Sequence, residues 1–402
     1  MRTLLSINKF HFRKGGADVL YLEHAELFAR AGWQTRFFST RQPENLPCAD
    51  AGFFADGIDF GHGRPTIGQA LSVVWSRGAR NRLRSLLDKA PVDIAHVHNI
   101  YHHLSPSVLV ELKARGIPVV LTAHDLKLIC PNYRMLDRDG ICERCKGGRL
   151  WNPILRRCHQ NSLAASTLIA VESALHQSLG LYRRFVDRVV TPSRFYRDKL
   201  IEWGWPAEKL VHVPNFVLQR TAVPQAPGPT LLYFGRLAPE KGVATLVRAA
   251  AMAGVPVEIC GDGPLDGELK TLAASLAAPV TFHGPCDSQE ISRRIAAARA
   301  AILPSEWYEN GPLAAIEAFE AGRPLIGARI GGITELVVEG VTGWSFESGS
   351  VTDLARALRL AHDASDADLK RMADTCRARF AAEHSESVYR SRIAAIYDAL
   401  LA

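Results

Sequence analysis

Long apolar segments are absent from this sequence: it has no uninterrupted apolar run of about 20 residues, so no membrane-spanning helix is predicted. Residues 1–5 lead directly into a strand-like segment, without the charged start and long apolar stretch of a secretory leader. Short internal repeats and low-complexity tracts are also absent. We therefore expect a cytoplasmic protein whose eight cysteines are reduced thiols or metal ligands rather than disulfides.

A dinucleotide-binding motif is missing as well. No G-x-G-x-x-G follows the first predicted strand, and Gly15-Gly16 comes only after a long loop. The glycine-rich turn that cradles a dinucleotide pyrophosphate needs that spacing. The sequence therefore disfavours a nicotinamide-dependent dehydrogenase.

The chain is long enough for more than one domain. Its 402 residues are 47% hydrophobic and 22% charged, which predicts two globular domains with substantial cores. The net charge of +7 favours polyanionic partners: phosphorylated ligands, nucleic acid or an anionic membrane surface. The basic residues are spread out and no recognised nucleic-acid-binding module is visible, so we expect no nucleic-acid partner.

Residues 67–90 have the pattern of a single basic amphipathic helix. Apolar residues recur at helical spacing, while Arg77, Arg80 and Arg84 share another face. Two interpretations remain open: an ordinary surface helix that packs on the core, or a helix that contacts an anionic membrane surface.

Short runs rich in Val and Ile alternate with longer helical patterns along the whole chain. The predicted strands are 3–7, 92–99, 117–125, 186–193, 230–237, 255–264, 279–285, 299–305 and 323–329. This alternation is typical of βα units that form parallel sheets. Residues 211–229 contain four prolines and little periodicity, so they predict a linker between two Rossmann-like domains.

Basic residues follow the first predicted strand of the second half, in the position where open parallel sheets bind ligands. Arg236 and Lys241 come after strand 230–237 and beside a predicted helix start, a combination that favours binding of an anion. The alternative is that both are ordinary solvated charges on the surface.

Two glutamates flank a predicted helix start in the stretch SEWYENGPLAAIEAF. Pro312 is expected as the first helical residue, with Gly311 as its cap. Glu309 then lies in the loop, and Glu317 lies inside the helix. A loop carboxylate can accept hydrogen bonds from sugar hydroxyls, and a helix carboxylate can bind the paired hydroxyls of a ribose. The N–H groups around Gly311 and Leu313 would point at a diphosphate.

Together these motifs resemble a known family. GRLAPEKG, GDGP at 261–264, the E-x7-E pair and the following EAFEAGRPLIGARIGGITELVVEGVTGWSF are similar to the C-terminal half of retaining glycosyltransferases of the GT-B fold, the group classed as family 4. Gly15-Gly16, the His124-Asp125 pair, and TPSRF followed by VPN extend the resemblance over nearly the whole chain.

The resemblance implies an α/β protein of the GT-B fold, with two Rossmann-like domains whose parallel sheets face across an interdomain cleft. Residues 1–212 would form an acceptor-binding domain with a cysteine-rich insertion at 130–158. Residues 213–380 would bind the nucleotide sugar. Residues 381–402 would return as a helix to the first domain.

The resemblance also implies roles for individual side chains. Arg236 and Lys241 match the basic pair that binds the donor diphosphate, and Glu317 matches the ribose ligand. Glu309 matches the acidic residue that contacts the donor sugar. His124 matches the histidine beside the sugar and the acceptor, so His124 and Glu309 are the implied catalytic residues.

Backbone groups complete the implied donor site. One departure is that many relatives have Pro-Phe-Gly after the first glutamate of the pair, whereas a proline here removes one N–H donor. The implied donor-binding backbone positions are Gly15, Gly16, Asn310, Gly311, Pro312 and Leu313.

A reaction follows from the resemblance. A sugar would move from a UDP- or GDP-sugar to a saccharide or lipid-linked saccharide, with retained configuration and without a catalytic metal or other cofactor, as in biosynthesis of surface polysaccharide. A lipid-linked acceptor would place the protein at the inner face of the membrane. The alternatives are a sugar-nucleotide epimerase of the same fold, or a nucleotide- or nucleic-acid-binding protein without transferase activity.

Half of the cysteines fall in one segment. Cys142 and Cys145 have the C-x2-C spacing of a zinc knuckle, and Cys130 and Cys158 could complete a site of four thiolates. The sequence therefore predicts a structural zinc ion, with ordinary reduced thiols in an irregular insertion as the alternative.

Overall fold

The computed structural model describes residues 1–58, 66–218 and 227–402, and the chain divides into two compact units. Unit 1 comprises Met1–Val213 and Arg390–Ala402, and unit 2 comprises Pro214–Tyr389. Residues 219–226 of the predicted linker lie outside the described residues.

Unit 1 alternates strands and helices along the chain. Its strands are β1 Thr3–Ile7, β2 Gln34–Phe38, β3 Ile94–Val97, β4 Val119–Thr122, β5 Leu136–Asp137, β6 Gly140–Ile141, β7 Arg188–Thr191 and β8 Leu210–His212. Its helices are α1 Gly16–Arg30, α2 Ile67–Val74, α3 Arg77–Lys89, α4 Ser107–Ala114, α5 Asn152–Arg156, α6 Leu163–Ser178, α7 Leu181–Phe185 and α8 Arg194–Glu202. Six strands form a parallel sheet in the order β2-β1-β3-β4-β7-β8, and β5 pairs antiparallel with β6.

Unit 2 repeats this arrangement. Its strands are β9 Leu231–Phe234, β10 Val257–Cys260, β11 Val280–Gly284, β12 Ala300–Leu303, β13 Leu325–Ala328 and β14 Gly343–Phe346. Its helices are α9 Val243–Ala253, α10 Asp266–Ser275, α11 Ser288–Ala297, α12 Leu313–Glu320, α13 Val351–Asp363 and α14 Asp366–Arg379. The last helix, α15 Glu386–Leu401, begins in unit 2 and belongs to unit 1 from Arg390 onward. Among the described residues, no helix is long and apolar enough to cross a lipid bilayer.

The central strand β9 shows why the predicted strands are continuous apolar runs. Leu231 and Tyr233 belong to one buried core, whereas Leu232 and Phe234 belong to a second core. Successive side chains of a strand point to opposite faces of the sheet. A parallel sheet covered on both faces therefore needs apolar residues at every position of a central strand.

Both sheets contain a topological switch point. In unit 2 the order β11-β10-β9-β12-β13-β14 reverses between β9 and β12, and in unit 1 the reversal lies between β1 and β3. Loops after the strands that flank such a point diverge and leave a crevice at the carboxyl edge of the sheet. Arg236, Lys241 and Glu309 are found in these loops of unit 2. His124 follows β4, which does not flank the switch point of unit 1.

The prediction of a single helix over 67–90 is wrong, because two helices occupy this stretch. The chain leaves helical geometry before Ser76, whose hydroxyl accepts a hydrogen bond from the first turn of α3. Arg80 and Arg84 both pair with the buried carboxylate of Glu111, with nitrogen–oxygen distances of 2.9 and 3.0 Å. Two of the three arginines on the basic face thus share one carboxylate within unit 1, which favours the ordinary surface helix.

Candidate active site

Three hydrogen-bond donors of unit 2 converge on one carboxylate oxygen. Glu309 Oε1 accepts hydrogen bonds from Lys241 Nζ at 2.6 Å, Ser305 Oγ at 2.7 Å and Trp307 Nε1 at 2.9 Å. Lys241 lies in the loop after β9, and the other three residues come after β12. The switch point of the sheet therefore brings two distant segments into one polar cluster.

The environment of Glu309 keeps its side chain ionised. The residue is only 7% exposed, and a buried carboxylate is costly unless it is paired. Burial raises the pKa of Glu309, but the charge of Lys241 and the three hydrogen bonds outweigh burial and hold the pKa below its ordinary value. Lys241 Nζ also lies 5.2 Å from the ring centroid of Trp307, a cation–π contact that further fixes the ammonium.

Backbone packing around Gly331 fixes the loop that carries Glu309. Gly331 has φ of +55°, and a Cβ added there would lie 2.7 Å from both the backbone N and O of Glu309. The next residue, Gly332, donates its N–H to the Glu309 carbonyl at 2.7 Å. Asn310 follows in the same loop and is half-buried. The close approach of two loops thus requires glycine at 331.

Arg236 lies after β9 and remains open to solvent. Its guanidinium pairs with Glu240, whose side chain is 2% exposed, whereas the Arg236 side chain is 56% exposed. Burial raises the pKa of Tyr233, the charge of Glu309 raises it further, and the charge of Arg236 lowers it. Arg236 and Glu309 therefore lie around the same tyrosine.

Helix α12 begins one residue later than the sequence predicts. Pro312 is the cap, with ψ of 123°, and Leu313 is the first helical residue, so the assignment of Gly311 as the cap is wrong. A proline φ near −65° fits both positions, and only ψ decides between them. The Gly311 carbonyl accepts a hydrogen bond from Asn215 Nδ2 at 2.8 Å. Glu317 lies half-buried inside the helix, as predicted.

In unit 1, His124 is one of a pair of contacting histidines. It follows β4, and its Nε2 lies 2.8 Å from Nδ1 of His98, which follows the neighbouring strand β3. The two rings stack with centroids 5.1 Å apart. Burial, and then the charge of Lys9, lower the pKa of His124 to about 3, so both its lone pair and its N–H are present at neutral pH.

Buried polar contacts extend from this pair to α15. His96 stacks on His98 with centroids 4.9 Å apart. The hydroxyl of Tyr397 lies 2.5 Å from His96 Nδ1 and 2.9 Å from His24 Nε2. The returning helix thus packs into unit 1 through a specific polar contact.

Gly15 and Gly16 stand at the start of α1. Gly15 is the cap residue and Gly16 is the first helical residue, and both are exposed. The Gly15 carbonyl accepts hydrogen bonds from the N–H groups of Asp18 and Val19 at 3.0 and 2.9 Å. The backbone is uncovered at this helix start because neither glycine has a side chain.

A cavity of about 320 Å³ lies in unit 1 beside the His124-Asp125 strand end. Three of its lining residues have left-handed backbones although none is glycine: His102, Tyr133 and Gln160, with φ of 65°, 58° and 52°. Such strained conformations concentrate at functional sites, because packing must maintain them against their cost. The strain therefore marks this cavity as a candidate ligand pocket.

Two polar groups of the cavity wall are buried without partners. Tyr101 Oη and His102 Nε2 have no hydrogen-bond partner within residues 1–58, 66–218 and 227–402. Leaving a buried polar group unpaired costs about 1–3 kcal/mol. A hydroxylated ligand or bound water in the cavity would supply the missing partners.

Asp125 and a buried ion pair support this cavity. The Asp125 carboxylate accepts a hydrogen bond from the Lys127 N–H at 3.0 Å, so it caps the following turn, and burial raises its pKa. Lys127 Nζ lies 2.7 Å from Glu172 Oε2, with the two side chains 4% and 1% exposed. His102 Nδ1 approaches the same oxygen at 3.4 Å. The pair thus anchors the strained His102.

The four cysteines of the insertion come together in unit 1. Cys130, Cys142, Cys145 and Cys158 line one small cavity, and all are free thiols. Across the described part of the chain, no group of three or more His, Cys, Asp or Glu side chains already stands in a metal-ligating arrangement. The zinc ion therefore stays a prediction.

Sequence reasoning did not find His98, Ser305 or Trp307. Each follows an observed parallel strand within a few residues, at or near the end of a strand that the sequence predicted, so strand-end position was the available signal. His124 is distant from its partner His98 in the sequence. Glu309 is close to Ser305 and Trp307 in the sequence, but its contacts with them depend on the loop conformation. Sequence spacing defines neither kind of contact.

Two family models together match almost the whole chain. Residues 14–217 match Glycosyltransferase Family 4, and residues 220–378 match Glycosyl transferases group 1. The first match alone covers just over half of the 402 residues. The chain belongs to glycosyltransferase family 4. The predicted family is therefore confirmed.

Several curated proteins resemble this family 4 chain. It is 32% identical over 339 residues to alpha-D-kanosaminyltransferase of Streptomyces kanamyceticus, covering 81% of each protein. It is also 32% identical over 368 residues to D-inositol 3-phosphate glycosyltransferase of an Arthrobacter strain, covering 87% of this chain and 82% of that protein. Against sulfoquinovosyl transferase SQD2 of Arabidopsis thaliana, at 32% identity, the alignment spans 66% of this chain but only 50% of the relative. The chain thus spans about half the length of some curated relatives that it matches.

Solved structures share the fold over the whole family 4 chain. Sucrose-phosphate synthase of Thermosynechococcus elongatus superposes with a TM-score of 0.73 at 20% identity, covering 100% of this chain and 99% of that one. HepE of Anabaena, in complex with UDP and glucose, gives 0.70 at 17% identity, covering 99% and 100%. Such identities establish the fold alone, and the predicted GT-B class is confirmed.

Proposed function

We propose that the protein is a retaining glycosyltransferase that moves a sugar from a UDP- or GDP-sugar to a saccharide acceptor. The observation that carries the proposal is the Lys241–Glu309 cluster at the switch point of unit 2, in a chain that belongs to glycosyltransferase family 4. HepE, which shares the fold, was solved with UDP and glucose, which supports a nucleotide-sugar donor. The proposed donor residues act as follows.

Positive charge in unit 2 would stabilise the departing nucleoside diphosphate. Lys241 is held by Glu309 and Trp307, and its ammonium has further N–H groups for a phosphate oxygen. Arg236 is fixed by Glu240 while remaining open to solvent. Charges held in place before the reaction stabilise the transition state without reorganisation, so this step does not require a divalent cation.

Carboxylates would position the two ends of the donor. Glu309 stays ionised and can accept hydrogen bonds from donor-sugar hydroxyls, which makes orientation its proposed role. Glu317 would bind the ribose hydroxyls from inside α12. The backbone from Asn310 to Leu313 would approach the diphosphate.

The cavity of unit 1 would bind the acceptor saccharide. Tyr101 and His102 contribute buried polar atoms that have no hydrogen-bond partner in the described part of the chain, and sugar hydroxyls can satisfy both. Neutral His124, oriented by His98, would position the attacking hydroxyl. Retention would follow from front-face attack, in which the leaving phosphate takes the acceptor proton as the new glycosidic bond forms.

An exposed apolar surface of unit 1 favours a lipid-linked acceptor. We define the apolar face as the large exposed hydrophobic residues of α5 and α6 and their flanks: Trp151, Leu155, Leu163, Val171, Leu175 and Leu179. Leu155 is 73% exposed, and the exposed Arg149 and Arg157 are close to it in the chain. Since α6 also lines the acceptor cavity through Ile169, we propose that this face contacts an anionic membrane at its inner surface during assembly of surface polysaccharide.

The donor proposal is tested by charge removal in unit 2. Arg236→Ala and Lys241→Ala should each lower kcat/KM by roughly 100-fold, because each removes a charge-assisted contact that strengthens as the phosphate departs. Transfer from UDP- and GDP-sugars to saccharide acceptors would be measured by product mass. Lys270→Ala removes a cation that pairs with Asp266 on α10, so it is the matched control and should retain activity.

Near-normal turnover in both site variants would contradict the assignment of the phosphate site. Conversion of the donor to an isomer without any acceptor would instead identify an epimerase.

A further inference from the structure

The cysteine-rich insertion has little apolar packing of its own. Its secondary structure is limited to the two-residue strands β5 and β6, a short turn and the five-residue helix α5. Trp151 and Leu155 are exposed, whereas Met135 is fully buried. Segments without a sufficient core usually depend on a disulfide or a structural metal. Since all the cysteines are free thiols, a metal is the candidate staple.

The folding of the chain brings four separated sulfurs to one place. Cys130, Cys142, Cys145 and Cys158 line a single cavity of about 10 Å³. That volume is close to the space that one small atom requires. The other four cysteines, Cys48, Cys260, Cys286 and Cys376, do not line it.

Hydrogen-bond donors already surround two of these sulfurs. The backbone N–H groups of Asn132 and Met135 interact with Cys130 Sγ, whose S–H donates to Asn132 Oδ1 at 3.0 Å. Arg144 Nη1 lies 3.6 Å from Cys142 Sγ. Donors to sulfur stabilise a thiolate more than a thiol, and they form the usual outer shell of a metal–thiolate site. Arg144 also pairs with Asp137, so its positive charge is shared between that carboxylate and the Cys142 sulfur.

The four thiols lie close enough together to interact electrostatically. A bound divalent metal stabilises each thiolate directly, so it would favour release of the thiol protons.

We propose that Cys130, Cys142, Cys145 and Cys158, which line one cavity of unit 1, bind a structural zinc ion through four thiolates. Zinc fits because thiolate ligands and closed tetrahedral coordination are characteristic of its structural sites. Among the described residues these sulfurs do not yet stand in a ligating arrangement, so zinc binding would require rotation about their side-chain χ1 torsions. Gly147 and Gly148, with φ of 72° and 80°, provide the tight turn after the C-x2-C pair.

The zinc site would hold the wall of the acceptor cavity. Tyr133 lies three residues after Cys130, and His159 directly follows Cys158, and both line the cavity. The metal therefore connects the two segments from which these side chains extend. Its role is structural positioning, since all four thiolates are used to close the coordination shell.

Metal content tests the proposal independently of transferase activity. Full-length protein produced with added zinc and then desalted should contain one zinc per chain by elemental analysis. X-ray absorption should show four sulfur neighbours at about 2.3 Å. Cys145→Ser should lower zinc affinity by at least about 10-fold, because loss of a ligand costs no less than loss of an outer-shell partner. Cys286→Ser, a half-buried cysteine of unit 2, should retain the metal.

Three outcomes would overturn the zinc site. The first is absence of zinc from the wild-type protein, with all eight thiols reactive towards a thiol reagent. A second is an intact mass of the wild-type protein that is lower than the calculated mass by the hydrogens lost when a disulfide forms within the insertion. The third is unchanged zinc content in Cys145→Ser. Far-UV circular dichroism of this variant establishes that it folds, and limited proteolysis should then show faster cleavage only within 130–158.

Discussion

Removing one partner of the buried Lys127–Glu172 pair should lower the stability of unit 1 by several kcal/mol. Lys127 Nζ lies 2.7 Å from Glu172 Oε2, and the side chains are 4% and 1% exposed. Lys127→Met keeps most of the side-chain volume and removes the charge, which leaves Glu172 buried without its cation. Breaking a buried ion pair by removing one partner typically costs about 3–5 kcal/mol.

A second route gives a similar magnitude. Glu172 in the variant can avoid the buried charge by taking up a proton. Protonating a carboxyl with an ordinary pKa near 4.3 at pH 7 costs about 3.7 kcal/mol, since one pKa unit corresponds to about 1.36 kcal/mol. We therefore expect Lys127→Met to lower the free energy of unfolding by roughly 3–4 kcal/mol at pH 7.

The loss of unfolding free energy caused by Lys127→Met should become smaller as the pH falls. In the native protein, burial raises the pKa of Glu172, but Lys127 and His102 hold it well below its ordinary value. The contribution of Glu172 to wild-type stability is therefore present above the pKa of this carboxyl in the unfolded state and is lost on acidification. In the Lys127→Met variant, burial without the cation raises the pKa of the Glu172 carboxyl, so the stability of the variant falls as the pH rises. The difference in unfolding free energy between the wild type and the variant should therefore decrease by about 1.4 kcal/mol for each pH unit from 7 to 5.

Urea unfolding followed by circular dichroism between pH 5 and 7 measures both effects. Lys113→Met is the matched control, because Lys113 pairs with Asp187 at the same 2.7 Å on the exposed surface of unit 1. An exposed pair contributes about 0–1 kcal/mol. A loss below about 1 kcal/mol in Lys127→Met, or one independent of pH, would refute the reasoning. It would show that a neighbouring group, such as His102, compensates the carboxylate.

Two further predictions concern binding. Replacing Leu155 and Val171 of the apolar face with Ser should reduce co-sedimentation with vesicles that contain phosphatidylglycerol. The control Leu360→Ser, at an exposed leucine of unit 2, should not reduce it. Equal binding by all variants would exclude this face as the membrane contact. Glu317→Gln should raise the KM for the nucleotide sugar, whereas Glu309→Gln should mainly lower kcat. The reason is that ribose contacts are the same in the ground and transition states, while donor-sugar contacts change. Steady-state kinetics that show only equal KM changes in both variants would contradict this division.

Most strands that sequence patterns missed lie at the edges of the sheets. The central strands β1, β3, β4, β7, β9, β10, β12 and β13 were all found from their apolar runs, and the half-exposed edge strand β11 was found as well. The missed strands β2, β8 and β14 lie at the edges of the six-stranded sheets, and the two-residue strands β5 and β6 were also missed. β2 is QTRFF and is mostly half-exposed, so it lacks a continuous apolar run. β8 overlaps the start of the predicted proline-containing linker at residues 211 and 212, and a three-residue strand leaves almost no pattern.

The sequence by itself determined the α/β class, the two-domain organisation and the family, because these depend on apolar runs and on motifs of adjacent residues. It also placed Arg236, Lys241 and Glu309 at strand ends. Only the tertiary structure decided that Lys241 and Glu309 contact each other, that His98 contacts His124, and that four cysteines share one cavity. The physical reason is that the order of the strands in a sheet and the conformations of the loops between them select which distant residues meet, and periodicity along the chain carries no record of that selection.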